Sequence, residues 1–424
     1  MKSFDEFSRP LDRISPMEKP FRAVIRNWVE EEVMPYRREY DEDWKEHRFI
    51  EPAMEKLCVG LGIQKCLFPK AFGGWGLGES DSLAALTYAL CEEMARGDSA
   101  LSLANLASLW SLTTFLVKPN INRRLAKEIA PMFCDTDKLC ICCQAMTEPQ
   151  GGADIENMGL LKGRTLRTTA RLEGDVWVIN GHKLWPTNSG GTANLFGVPC
   201  TTNPGSSDPD DFAYMMVPAH FKGVTQSEPY HKAGMAADKN GEIWFDNVRV
   251  PSWYRIHGPG KDADVFKQLI SFGLLGSVGF AMGAMINVYE ILYDFVSGNT
   301  YANKPLKEND AIAGVIGRIA GDIDISRILS YELVRMIDSR EKPFGNPLSS
   351  EETIAKARNI KDFVSDRTVE NIGKAMDVMG VYGSDRIMDV EKHYRDVKMI
   401  QLWLGGKQLC QAEAARYFFN CETL

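Results

Sequence analysis

Apolar residues in the first third of the chain recur at steps of three and four, the spacing of one helix face. The pattern is clear over Glu18–Glu42, EKPFRAVIRNWVEEEVMPYRREYDE, and over Asp81–Asp98, DSLAALTYALCEEMARGD. Between them FPKAFGGWGLG, Phe68–Gly78, reads as a glycine-rich loop. From about Cys140 to Pro251 the period falls to two. Thr165–Asn188, TLRTTARLEGDVWVINGHKLWPTN, alternates and carries two turn signals, Glu173-Gly174-Asp175 and Asn180-Gly181. The second, an Asn-Gly pair, predicts a hairpin. FAYMMVP and GEIWFDNVRVP add further strands. After about Asp262 helical spacing returns and runs to the end.

These patterns divide the chain into a helical domain over 1–139, a β domain over 140–255 and a helical bundle over 256–424. Helices, strands, then helices is not the alternating order of a doubly wound nucleotide-binding sheet, and no GxGxxG follows a strand. That argues against a nicotinamide enzyme. The most apolar stretch, Leu269–Val296, carries Ser271, Ser277, Asn287, Glu290 and Asp294, so it reads as a buried helix rather than a membrane span. Gly273, Gly276, Gly279 and Gly283 would let neighbouring helices approach closely. The run exceeds what one helix can bury alone, which predicts a dimer or tetramer through the C-terminal helices.

Composition narrows the picture. The 424 residues, 44% hydrophobic, suffice for more than one core. A net charge of -8 argues against a nucleic-acid surface. The first residues lack an apolar signal region, and 10 cysteines without one suggest reduced thiols in the cytoplasm. Cys134, Cys140, Cys142 and Cys143 cluster, but their spacing matches no zinc or iron–sulfur pattern, so buried packing is expected.

Four segments carry the chemistry. They are Ala145-Met-Thr-Glu-Pro-Gln-Gly-Gly-Ala-Asp154; Trp177–Asn188, WVINGHKLWPTN; Gly234–Pro251, ending FDNVRVP; and Val390-Glu-Lys-His-Tyr-Arg-Asp396. In order and spacing they resemble the acyl-CoA dehydrogenase family. The resemblance implies an α+β multidomain fold: a helical N-domain, a central β-barrel and a C-terminal four-helix bundle. It further implies a homotetramer that holds FAD, takes a coenzyme A thioester, and passes electrons to an electron-transfer flavoprotein or similar acceptor.

A flavin ring needs hydrogen-bond donors where charge develops on reduction. The resemblance assigns ring contacts to Gln144, Met146 through its backbone, Thr147 and Thr187, with Trp185 beside the ring. It assigns contacts to a partner subunit's FAD to Asp377, Gly380, Trp403, Gly406 and Gln408, with Gly383 a further candidate. Trp177 is expected in the core and Arg395-Asp396 in a structural ion pair. His231-Lys232 reads as a surface loop, although Lys232 could serve a phosphate.

The family pattern also breaks. Its base is usually a glutamate in a C-terminal segment that here reads Leu402-Trp-Leu-Gly-Gly-Lys, placing Leu404 at the base position. An alternative seat on the first long C-terminal helix corresponds to Leu269. A leucine cannot take a proton. The arginine of the family's R-x-x-F-G is missing from Asn299–Asn303, Asp377 replaces a usual glutamine, and Ala153 replaces a common serine. Three readings follow: a dehydrogenase with a displaced base, for which Asp98 is the candidate, acting on an unusual, for example cyclic, acyl group; a flavoenzyme that needs no α-proton abstraction because its carboxylated substrate loses CO2; or a non-catalytic or half-site subunit of a heteromeric assembly.

Overall fold

The computed structural model describes residues 15–151, 166–338 and 350–421. Helical spacing at the N-terminus gives α1 (Glu18–Trp28), continued by a π-helical turn over Val29–Val33. It then gives α2 (Arg37–Glu42), α3 (Ile50–Glu55), α4 (Leu83–Gly97), α5 (Ser99–Leu116) and α6 (Arg123–Cys134). The glycine-rich loop forms short 3-10 turns over Lys70–Phe72 and Leu77–Glu79.

The middle region folds as β1 (Cys142–Gln144), β2 (Thr169–Glu173), β3 (Val176–Leu184), β4 (Leu195–Thr201), β5 (Phe212–Pro218), β6 (Val224–Gln226) and β7 (Glu242–Pro251). They form one seven-stranded sheet in the order β1-β4-β2-β3-β7-β6, with β5 paired to β4. The turn at Gly174 joins β2 to β3 with a left-handed φ of 64°, which glycine adopts freely. The hairpin expected at Asn180-Gly181 does not form. β3 runs straight through both residues and pairs with β7 on either side, with a register shift between Ile179 and Gly181. The glycine serves close approach instead: a Cβ there would sit 2.4 Å from the Thr168 hydroxyl.

The C-terminal region holds α7 (Lys261–Gly298), a two-stranded β8 (Thr300–Tyr301) and β9 (Lys304–Pro305), then α8 (Asp310–Asp338), α9 (Glu351–Met379), α10 (Val390–Ile400) and α11 (Gly406–Phe419). α7 packs against α9 and α8, and α11 packs on α9.

α7 corrects one expectation. Its apolar run is buried inside this one chain, against α4, α5 and α9. The glycines receive neighbours of the same subunit: a methyl at Gly273 would come within 2.3 Å of the Trp110 ring, and one at Gly283 within 2.2 Å of the Glu92 carbonyl. The exposed apolar residues of the bundle include Ile325 and Ile328 on α8, Phe363 on α9, Val381, Tyr382 and Ile387 beyond it, and Phe418 and Phe419 on α11. By length and composition α5 and α7 could each cross a membrane, but both are enclosed by the fold.

Candidate active site

The loops after β1 and β3 meet α5, α7 and the turn before α11 around a cavity of about 280 Å3. That lies near the lower end of the roughly 300–1,000 Å3 usual for small-molecule sites. One wall is polar, with Gln144, Met146, Thr147, Trp185 and Thr187 all lining it. The other is apolar and includes Leu106, Trp110, Phe280, Trp403 and Leu404.

Two sequence motifs are joined beneath the polar wall. Glu148, next to Thr147, and Lys183, within WVINGHKLW, form a fully buried ion pair at 2.9 Å. Lys183 also donates to the Met146 carbonyl at 3.2 Å and the Pro199 carbonyl at 2.9 Å. Glu148 accepts the Arg167 and Thr168 amides at 2.8 and 3.0 Å. Burial alone would raise the Glu148 carboxyl, but Lys183 and these donors bring it down to about 2. The pair fixes both loops and leaves Thr147 and Thr187 on the cavity.

Each expected ring contact has a definite place. Gln144 accepts from the Ser111 hydroxyl at 2.7 Å and from the Tyr214 hydroxyl, while among the described residues its Nε2 has no partner. A buried, unpartnered donor on the wall fits a ring that needs donors at its oxygens. Met146 N–H turns back to the Gln144 carbonyl at 3.1 Å, so that donor is engaged within the chain. Trp185 has a left-handed φ of 67°, is half exposed, and packs tilted against Tyr230 with ring centroids 4.2 Å apart. Trp177 is buried, with Arg255 over its ring. The polar wall therefore suits an isoalloxazine ring.

The residues assigned to a partner's FAD separate. Trp403 lines the cavity and donates from Nε1 to the Ser277 hydroxyl at 2.9 Å. Asp377 and Gly380 are exposed at the end of α9, Gln408 is exposed on α11, and Gly406 is buried at the start of α11. None of these four lines the cavity of this chain. Ala153 lies outside the described residues.

The two base seats also separate. Leu404 is on the cavity wall, in a turn of three left-handed residues with φ of 50°, 83° and 62° at Leu404, Gly405 and Gly406. A leucine there is uncommon. Two buried cations hold the turn: Arg358 donates to the Leu404 carbonyl at 2.8 Å and Lys361 to the Trp403 carbonyl at 3.0 Å. Leu269 is fully buried off the cavity, and its carbonyl accepts from Trp110 Nε1.

The structure corrects Asp98 as a displaced base. Its carboxylate caps α5 by accepting the Leu101 amide at 2.9 Å and pairs with Lys392 at 2.8 Å, and it does not line the cavity. Burial opposes its ionisation, but Lys392 outweighs that and holds the carboxyl below its usual range. Lys392 also binds Asp396, which accepts the Met235 amide at 2.6 Å; Arg395 pairs with Asp41 and Glu391. The Arg395-Asp396 element is structural.

Lys232 was expected in a surface loop. His231 is exposed and stacks on Trp44, but Lys232 turns inward to the cavity wall beside Asp238. Asp238 is the one carboxylate among the described lining residues. Sequence reasoning missed it, although it stands four residues past Gly234, within the third motif. Trp110 was missed as well, since nothing local marks it.

Three family models match in order: the N-terminal domain of acyl-CoA dehydrogenases over 15–118, the middle domain over 143–248 and the C-terminal domain over 263–416. Cyclohexane-1-carbonyl-CoA dehydrogenase of Syntrophus aciditrophicus is 26% identical over 93% of this chain and 94% of that protein. Human mitochondrial short-chain specific acyl-CoA dehydrogenase is 26% identical over 91% of this chain and 86% of the relative. Among solved structures, butyryl-CoA dehydrogenase of Megasphaera elsdenii superposes with a TM-score of 0.81 at 19% identity, covering 96% of this chain and 98% of that one. The glutaryl-coenzyme A dehydrogenase complex gives 0.80 at 21%, covering 96% of both. Helical, β and helical domains around one cavity, with the three family models matched in order, define a flavoprotein oxidoreductase of acyl thioesters. The chain belongs to the acyl-CoA dehydrogenase family and is FAD-dependent.

Proposed function

We propose that this protein oxidises a compact acyl-CoA, cyclic or carboxylated, and is poor on ordinary straight chains. The observation that carries this reading is Leu404, an apolar side chain on the cavity wall at the family's base position. An α-proton beside a thioester is weakly acidic, and a positioned base contributes roughly 10²–10⁴-fold. Asp238 is no free substitute, because Lys232, Thr187 and the Asn188 amide all hold its carboxylate.

A carboxylate on the α-carbon removes the need for that base. Loss of its CO2 breaks a carbon–carbon bond and leaves the electron pair on the α-carbon, beside the thioester, where proton removal would have put it. Bound FAD supplies the acceptor for the hydride that completes the oxidation. The chain's own residues do the rest. Leu106, Trp110, Phe280 and Leu404 enclose the acyl group in apolar surface and exclude water. Trp110 and Leu106 also line a second, apolar space of about 30 Å3, so they close the cavity against a long tail. The relative named for cyclohexane-1-carbonyl-CoA supports a compact ring as one acyl group.

The test is turnover of butyryl-, octanoyl-, palmitoyl-, cyclohexanecarbonyl- and ethylmalonyl-CoA with an artificial electron acceptor, beside Leu404→Glu. The expected result is slow or no turnover of the three straight chains, faster turnover of a compact or carboxylated thioester, and a straight-chain rate raised by Leu404→Glu. Ordinary rates on butyryl- or octanoyl-CoA, unchanged by Leu404→Glu, would overturn the reading.

A further inference from the structure

Three polar side chains on the cavity wall form a short relay whose hydrogen-bond sense is fixed by chemistry. The Thr187 hydroxyl lies 3.3 Å from Asp238 Oδ2. Lys232 Nζ lies 3.2 Å from the same oxygen and donates to the Asp238 backbone carbonyl at 2.6 Å and to the Asn240 side-chain oxygen. The Asn188 amide donates to Asp238 Oδ1 at 3.3 Å. Side-chain exposure is 6% for Lys232 and 2% for Asp238, so water does not replace these partners. The residues come from two loops, Trp185–Asn188 and Lys232–Asn240. A bond from Asn240 Nδ2 to the Trp185 carbonyl at 2.6 Å ties those loops together.

Both Asp238 carboxylate oxygens already accept, Oδ2 from Lys232 and Oδ1 from the Asn188 backbone N–H, so the hydrogen between Thr187 and Asp238 is the threonine's. A hydroxyl has one proton to give. Once it is spent on Asp238, the oxygen presents only lone pairs to the cavity. The sequence reading treats Thr187 as a donor to the flavin ring; the relay makes it an acceptor.

We infer that Asp238, neutralised by Lys232, is a positioning residue that turns the Thr187 hydroxyl into a hydrogen-bond acceptor for the flavin edge and so favours the reduced cofactor. A reduced flavin carries an N–H where the oxidised ring has a bare nitrogen. An acceptor there pairs with the first and faces the second with like lone pairs. Because Lys232 and Asp238 cancel in charge, the effect on the flavin is directional rather than a field from a net charge. This rests on FAD occupying the cavity and is independent of which acyl group is oxidised.

The test uses the FAD-loaded protein and reads its two-electron midpoint potential by spectroelectrochemistry, without substrate. Four forms are compared: wild type, Thr187→Val, the charge-balanced pair Lys232→Met with Asp238→Leu, and all three changes together. Thr187→Val should shift the reduced-to-oxidised ratio roughly tenfold toward oxidised, about 30 mV for a two-electron couple. The charge-balanced pair should shift it in the same direction. The triple variant should go no further than Thr187→Val, because with valine at 187 there is no hydroxyl left for the pair to orient. Additive shifts, or no shift in Thr187→Val, overturn the inference. Should the charge-balanced pair fail to fold, the same cycle with the isosteric Asp238→Asn decides: its effect must vanish when residue 187 is valine, and persistence there also overturns the inference. The acyl-CoA panel tests the substrate reading separately, so either can fail alone.

Discussion

The two walls of the cavity are built on opposite principles. On the polar wall, position is set by hydrogen bonds and ion pairs whose partners cannot be exchanged. Glu148 and Lys183 are fully buried against each other, and Lys232, Asp238 and Thr187 form a second directional set. On the apolar wall, Leu106, Trp110, Phe280 and Leu404 supply shape and exclude water. On the proposed function, the polar wall acts on the electrons and the apolar wall on what fits. The two walls are held by separate interactions, so a leucine at position 404 leaves the buried pair behind the polar wall untouched.

If the polar wall depends on particular partners, an almost isosteric change should be severe. Glu148→Gln keeps the size but leaves the buried Lys183 ammonium without its counter-charge, at a cost of roughly 3–5 kcal/mol. Denaturant unfolding should show the loss, with release of FAD. Acid should act on the same pair. Its folded-state carboxyl, at about 2, lies below the ordinary glutamate value. The stability it contributes is thus complete above the unfolded value and disappears as pH falls toward 2. Unfolding at a series of pH values should show this slope in wild type and a shallower one in Glu148→Gln.

The apolar wall should instead respond to volume. Trp110→Ala removes the ring that Gly273 accommodates and joins the cavity to the apolar space behind it. It should cost about 3 kcal/mol of stability, within the range for large aromatic truncations. It should also move acyl preference toward longer chains, read as the ratio of kcat/KM for octanoyl- over butyryl-CoA. An unchanged ratio would show that Trp110 does not close the cavity.

A smaller effect belongs to a single polar contact. Thr187→Ala removes one hydroxyl from the relay and from the ring edge, a loss of roughly 1–3 kcal/mol where a buried partner is left unsatisfied. Reduced FAD should bind about tenfold more weakly relative to oxidised FAD, read as a lower midpoint potential of the bound cofactor. A potential equal to wild type would place the ring edge elsewhere.

How much was legible in the sequence follows the same division. The polar wall comes from residues adjacent in the chain. Thr147 stands beside Glu148, and Trp185 and Thr187 follow Lys183 by two and four positions. Motif and spacing could name them. The apolar wall is drawn from α5, α7 and the Trp403–Leu404 turn, which only tertiary packing brings together, so Trp110 carried no signal. Local signals also failed where packing overrode them. Asn180-Gly181 is good hairpin chemistry, yet β7 pairs with both flanks and Thr168 needs the space over Gly181. The α7 run looked too apolar for one subunit, but α4, α5 and α9 cover it. Lys232 looked like surface because no sequence rule revealed Asp238 behind it.

The smallest effect is the sharpest contrast. Leu404→Met exchanges one apolar side chain for another of nearly equal volume. If Leu404 acts only as wall, the change should alter stability by less than about 1.5 kcal/mol and leave turnover of the preferred thioester within a few-fold. The backbone should tolerate it, because Arg358 and Lys361 hold the turn by its carbonyls rather than by the side chain. The Glu148→Gln and Leu404→Met changes are comparable in size, so volume cannot explain a difference between them. Thermal unfolding and kcat/KM on the same substrate measure both. A severe loss in Leu404→Met would mean that this side chain does more than fill space, and the division between a wall of partners and a wall of shape would fail.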